Sequence, residues 1–238
     1  MEEFIIEADL EIGKQIKVSF EEPILIDLQK KNVSQIAITS DLKAWKANFS
    51  IIHDTEEGVR EEAILILNSV ADIIAFKRRF LIESIKIPRI TYKRSGDKVD
   101  SVSYSFQITG TKLFKLSNQE TKDLAKYITH KFYNSSEQTF LSMYREALLQ
   151  ESPVTKFLLL YRLLETIHQG IPNTESFIKQ QHPNIKICSD RKGDRTILTW
   201  LRDNVHGKGT RFPFKEINDN IQLIKELVNK SMAIVISP

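Results

Sequence analysis

The sequence predicts an α+β domain followed by an all-α helical bundle, and three observations carry that prediction. Apolar residues alternate with a period of two in several stretches of the first half. From Ser117 onward they recur with the 3.6-residue period of a helix instead. Helix-start signals then repeat at Ser117, Ser135 and Ser152. The expected division is an α+β domain over residues 1–113 and a helical domain over residues 117–238.

In the first half, Ile16, Val18 and Phe20 fall on one face, as do Ile24, Ile26 and Leu28, then Trp45, Ala47, Phe49 and Ile51. Each set reads as a half-buried antiparallel strand. Residues Glu56–Arg79 place Val59, Ala63, Ile66, Leu67, Val70 and Ile74 at helical spacing. Two further strands are expected around Ser84–Tyr92 and Val99–Thr109, joined into a hairpin by the turn residues Arg94-Ser95-Gly96-Asp97.

In the second half, Ser117 and Glu120 have the spacing of a capping box ahead of Leu124, Tyr127 and Ile128. Ser135 and Gln138 repeat it ahead of Phe140, Tyr144, Ala147 and Leu148. Ser152-Pro153 supplies an N-cap and a first-turn proline for a helix through His168, stopped by Gly170 and Pro172. That helix is apolar on most sides and is expected to be central. A polar loop follows, then a helix from near Arg195 that carries Arg202 and His206. A last helix starts at Phe214, with Ile217, Ile221, Ile224, Val228 and Met232 in register.

Composition bounds the possibilities. The 238 residues are 41% hydrophobic and 27% charged, ordinary for a globular chain with a sizeable core. A net charge of +3 permits a nucleic-acid partner but lacks the strongly basic signature of a constitutive binder. The single cysteine, Cys188, rules out an intrachain disulfide, so a reducing compartment and a cytoplasmic location are expected. Met1-Glu2-Glu3-Phe4 has no basic or long apolar stretch of a signal peptide. No apolar run approaches a membrane span, so no membrane partner is expected.

The most informative stretch is Leu201-Arg202-Asp203-Asn204-Val205-His206-Gly207-Lys208. Arg202 and His206 stand four residues apart, the spacing that puts two side chains on one helical face. A guanidinium neutralises a phosphate, and an imidazole moves a proton near neutral pH. Together they are a minimal kit for acting on a phosphodiester. The plainer reading is a surface arginine and a histidine favoured by the dipole at a helix C-terminus before Gly207.

A long apolar helix ending in Tyr161-Arg162-Leu163-Leu164-Glu165, then a polar loop, then Leu201-Arg202-Asp203-Asn204-Val205-His206-Gly207, resembles the HEPN superfamily, in the layout of its Apea-like and MauJ-like members. The resemblance covers roughly residues 117–238, and no family is recognised for the first half. The family motif is Arg, a polar residue, further residues and His. Asp203 fits the polar position, and three residues separate Arg202 from His206, one fewer than the family's usual minimum.

The resemblance implies a metal-independent endoribonuclease, often in phage defence or toxin–antitoxin systems, acting as a homodimer without a cofactor. It also covers members that only bind nucleotides or assemble. On this reading Arg202 holds the phosphate, His206 transfers a proton, and Glu165 and Asp203 support them. One histidine per chain serves one of the two proton steps of cleavage by the 2′-OH. A second copy, paired through residues 117–238, is therefore the expected partner besides RNA. Glu165 has a local alternative in Arg162 at i−3, and Asp203 has a solvated one.

Lys186, Arg191, Lys192, Arg195, Lys208 and Arg211 make the surroundings of the motif basic. Of these, Lys192, Arg195, Lys208 and Arg211 are the expected RNA contacts. His53, His130, His168 and His182 are scattered without metal-ligand spacing, so no metal is expected. Gly207-Lys208-Gly209 is too short for a phosphate loop. Lys77-Arg78-Arg79 and Lys93-Arg94 are further, weaker nucleic-acid candidates.

Overall fold

The computed structural model describes residues 2–12, 16–40, 45–78, 81–93, 112–132, 135–191, 193–205 and 213–236. Their contacts group the chain into two compact units, Met1–Gln138 and Thr139–Pro238. The first holds β1 (Glu2–Ile12), β2 (Ile16–Phe20), β3 (Ile24–Ile26), β4 (Ile36–Ser40), β5 (Trp45–His53), α1 (Glu56–Arg78), β6 (Ile82–Lys93), β7 (Lys112–Leu116) and α2 (Asn118–Lys131). Helix α3 (Ser135–Leu149) crosses the division. The second unit continues with α4 (Pro153–Ile167), α5 (Ile171–Gln181), β8 (Ile187–Asp190), β9 (Gly193–Thr196), α6 (Ile197–Asn204) and α7 (Phe214–Val235). A sheet region is thus followed by mostly helices.

Five strands of the first unit form an antiparallel sheet in the order β3-β4-β5-β1-β6. Alternation sends Phe4, Ile6, Ala8 and Leu10 of β1 and Trp45, Ala47, Phe49 and Ile51 of β5 into the core. Val59, Ala63, Ile66, Leu67, Val70 and Ile74 of α1 are buried as well. Burying each large apolar side chain contributes about 1.5–3 kcal/mol, so this one-sided layer is the unit's main source of stability. The parallel pair β2–β7 is tied to the sheet by Trp45, whose Nε1–H donates to the Val18 carbonyl at 2.8 Å.

The Ser117–Glu120 capping box forms as read from the sequence. Glu120 also accepts from Arg78 Nη1 at 3.2 Å, joining the end of α1 to the start of α2. Helix α2 therefore belongs to the compact unit of the sheet, although its periodicity groups it with the later helices. The Ser135–Gln138 expectation resolves differently. Helix α3 begins at Ser135 itself, and Gln138 donates to Asp72 of α1 at 3.1 Å. Strands β1, β4 and β7 are additions to the sequence reading. The expected strand Val99–Thr109 and the turn Arg94–Asp97 lie outside the described residues.

In the second unit, Ser152 caps α4 by accepting from the Thr155 amide, with Pro153 in the first turn, as expected. Phe157, Leu160, Tyr161, Leu163 and Leu164 are all buried, which makes α4 the central helix. The polar loop expected after it is structured. Pro172 begins a helix, α5, rather than ending one, because a first-turn residue needs no N–H partner. The antiparallel hairpin β8–β9 follows, closed where Asp190 faces Gly193, whose φ of +101° suits glycine. The second unit is accordingly not all-α.

Candidate functional site

The site is built on α4, α6 and the strand that leads into α6. Thr196 caps α6 by accepting from the Thr199 amide. Glu175 of α5 fixes that cap, accepting from the Thr196 amide at 3.1 Å and its hydroxyl at 2.8 Å. Thr199, fully buried, shares a 2.7 Å hydrogen bond with the Tyr161 hydroxyl of α4. Burial holds the Tyr161 phenol above its ordinary pKa, opposed by the Thr199 hydrogen bond and by the Arg202 charge. Tyr161 is therefore a neutral ring, held in place by its hydroxyl pair with Thr199.

Arg202 lies in the last turn of α6, with its guanidinium 5.2 Å from the centroid of that ring. A cation over a partly desolvated aromatic face is worth about 1–2 kcal/mol, and the contact sets where the guanidinium lies. Its Nη1 donates to Asp203 Oδ1 at 2.6 Å, and its Nη2 reaches Glu165 Oε2 at 3.4 Å. The other oxygen of Asp203, Oδ2, accepts from Arg195 Nη1. Two carboxylates and two guanidiniums thus form one chain, Arg195–Asp203–Arg202–Glu165. The Arg202 Nε–H is shielded from solvent and has no partner among the described residues.

This geometry brings together Arg202, Glu165 and Asp203, the expected catalytic residues that lie among the described residues. Glu165 bonds Arg202 across helices, and among the described residues no ion pair joins it to Arg162. Asp203 is not a solvated surface group: its side chain is 9% exposed and bridges two arginines. Arg195, expected as an RNA contact, is the second partner of Asp203, with its side chain 22% exposed. His206, Lys192, Lys208 and Arg211 lie outside the described residues.

Sequence reading missed Thr196, Thr199 and Glu175, which position the motif helix. The available signal was Thr196 ahead of Ile197-Leu198, an N-cap before an apolar pair. Other candidates are absorbed elsewhere. Lys77 stacks on Tyr127 with its ammonium 4.3 Å from the ring centroid, and Arg78 is held by Glu120. His168 stacks on Phe177 at 4.2 Å and bonds Ser231 at 2.8 Å, while His53 accepts from the Thr55 amide at 3.2 Å.

An open cleft of about 740 Å³ is lined by residues of α4, of its connection to α5 and of the start of α5, together with Arg202 of the motif. Among the described residues, no group of three or more His, Cys, Asp or Glu is placed to hold a metal ion. No helix formed by them is long and apolar enough to cross a membrane. Comparison of the chain with protein-family models, with curated proteins and with solved structures finds no match in any of the three.

Proposed function

We propose that the helical unit is a HEPN-type, metal-independent endoribonuclease in which Arg202 holds the scissile phosphate and His206 transfers a proton. The observation that carries this reading is the placement of Arg202 at an open cleft by Glu165 from the central helix and by its neighbour Asp203. A guanidinium fixed in this way is preorganised, so no rearrangement is needed when charge builds on the phosphate. Attack by the RNA's own 2′-OH on the adjacent phosphorus forms a 2′,3′-cyclic phosphate and releases the 5′-oxygen of the next nucleotide. The 2′-OH proton goes to a base, and a proton from an acid goes to the leaving oxygen. His206 supplies one of these steps, and the matching histidine of a second copy supplies the other in a homodimer. A role in phage defence or a toxin–antitoxin pair follows from the same resemblance.

The test is incubation of a single-stranded RNA and of DNA with the same sequence in excess EDTA. The reading predicts that RNA alone is cut and that the products carry cyclic phosphate ends. Cleavage of both polymers, or of neither, contradicts it.

A second reading also has a specific observation behind it. Nη1 and Nη2 of Arg202 already face two carboxylates, and three residues rather than more separate it from His206. A non-catalytic nucleotide-binding or assembly module needs only the first of these. This reading predicts intact RNA with retained binding.

A further inference from the structure

We infer that the cleft formed by α4, the start of α5 and Arg202 is a binding site for a nucleotide phosphate, with Arg162 as its principal cation. Within the Arg195–Asp203–Arg202–Glu165 chain the charges cancel, two positive against two negative. Arg162 lines the same cleft, is exposed, and has no side-chain hydrogen bond or ion pair among the described residues. It is therefore the uncompensated charge of the cleft, on a planar fork suited to two phosphate oxygens.

Two further features point to an anion. Gly170 and Ile171 line the cleft at the N-terminus of α5, which has no side-chain cap. The positive end of that helix dipole therefore opens onto the cleft. The Arg202 Nη2 contacts to Glu165, at 3.4 and 3.5 Å, are long for charged hydrogen bonds, so this nitrogen is free to turn to a better-placed oxyanion. Leu158 and Ile171 add apolar wall, and about 740 Å³ is room for a nucleoside as well as its phosphate.

The inference rests on the ribonuclease reading only for the polymer that would deliver the phosphate. Two sources share the chemistry, an RNA strand lying past Arg202 and a free mononucleotide. They are separated by titrating the full chain with a fluorescent 2′-O-methyl RNA decamer, which lacks the attacking hydroxyl, and by competing it with AMP.

Arg162→Ala is expected to weaken decamer binding about tenfold, the worth of one charge-assisted contact. It should also make the salt dependence shallower by about 0.7 in log–log slope, the loss of one phosphate contact to a single strand. Arg162→Lys keeps the charge and should keep the slope. Arg60→Ala, on α1, should change nothing. AMP that competes in the wild-type chain but not in Arg162→Ala marks a mononucleotide site. AMP that never competes, beside an Arg162-dependent decamer, marks an RNA strand.

Wild-type binding of neither probe overturns the inference, as does equal binding by a folded Arg162→Ala chain. Arg162-dependent binding without RNA cleavage keeps the phosphate site and removes the ribonuclease. Cleavage with Arg162-independent binding does the reverse.

Discussion

Arg202 is held on several sides by groups that do different things. Asp203 and Glu165 set the plane of the guanidinium, and the Tyr161 ring sets its depth. Thr199 fixes that ring through a hydroxyl pair with no exposure to water. Replacing Thr199 by the isosteric Val leaves the Tyr161 hydroxyl buried without that partner. Such an orphan costs about 1–3 kcal/mol, which urea unfolding of Thr199→Val should read directly. Adding Tyr161→Phe removes the orphan as well, so the double variant should recover part of the loss. A Thr199→Val chain as stable as the wild type would show that the hydroxyl pair fixes nothing.

At the scale of elements, His168 shows how the second unit is joined. It is the C-cap of α4, stacks on Phe177 of α5 and bonds Ser231 of α7. Burial lowers its pKa from the ordinary value near 6.5. The unfolded chain thus binds the proton more readily than the folded one. The two states are alike above pH ~6.5, and stability falls as the pH drops below it toward the folded value. Urea midpoints of the wild type at pH 7.5 and 5.5 should differ more than those of His168→Gln, which does not titrate. Equal differences would contradict the assignment.

The elements also show what the sequence makes legible. Helices α1, α4 and α7 each carry a dense apolar stripe, so their extents are readable. Strand β1 carries an alternation of Phe4, Ile6, Ala8 and Leu10 that the sequence reading passed over. Strand β4 offers only Ile36 and Ile38, too short a pattern to stand out. Helix α5 buries only Thr174, Phe177 and Ile178, so it has almost no stripe, and Gly170 and Pro172 mimic a terminator. Arg202, Asp203 and Glu165 were legible through the motif and its central helix. The Arg195–Asp203 pair was not, because it depends on how β9 turns into α6.

For the whole molecule, the change of periodicity near Ser117 marks a change in element type rather than the edge of a compact unit. Packing of α2 against α1 and β3 carries the first unit to Gln138. The ribonuclease reading adds a requirement at this scale, since each chain brings a single motif histidine to a reaction with two proton steps. Light scattering of the full chain at tens of micromolar, where a standard-sized interface holds, should report a dimer. A strict monomer would remove the composite site.

The central claim is that Arg202 and His206 act on an RNA phosphodiester, and the single-turnover rate of RNA cleavage in excess EDTA tests it most directly. The account predicts a loss of about a hundredfold or more for both His206→Ala and Arg202→Ala, one removing a proton-transfer group and the other the phosphate cation. Rates equal to the wild type in both variants would contradict it.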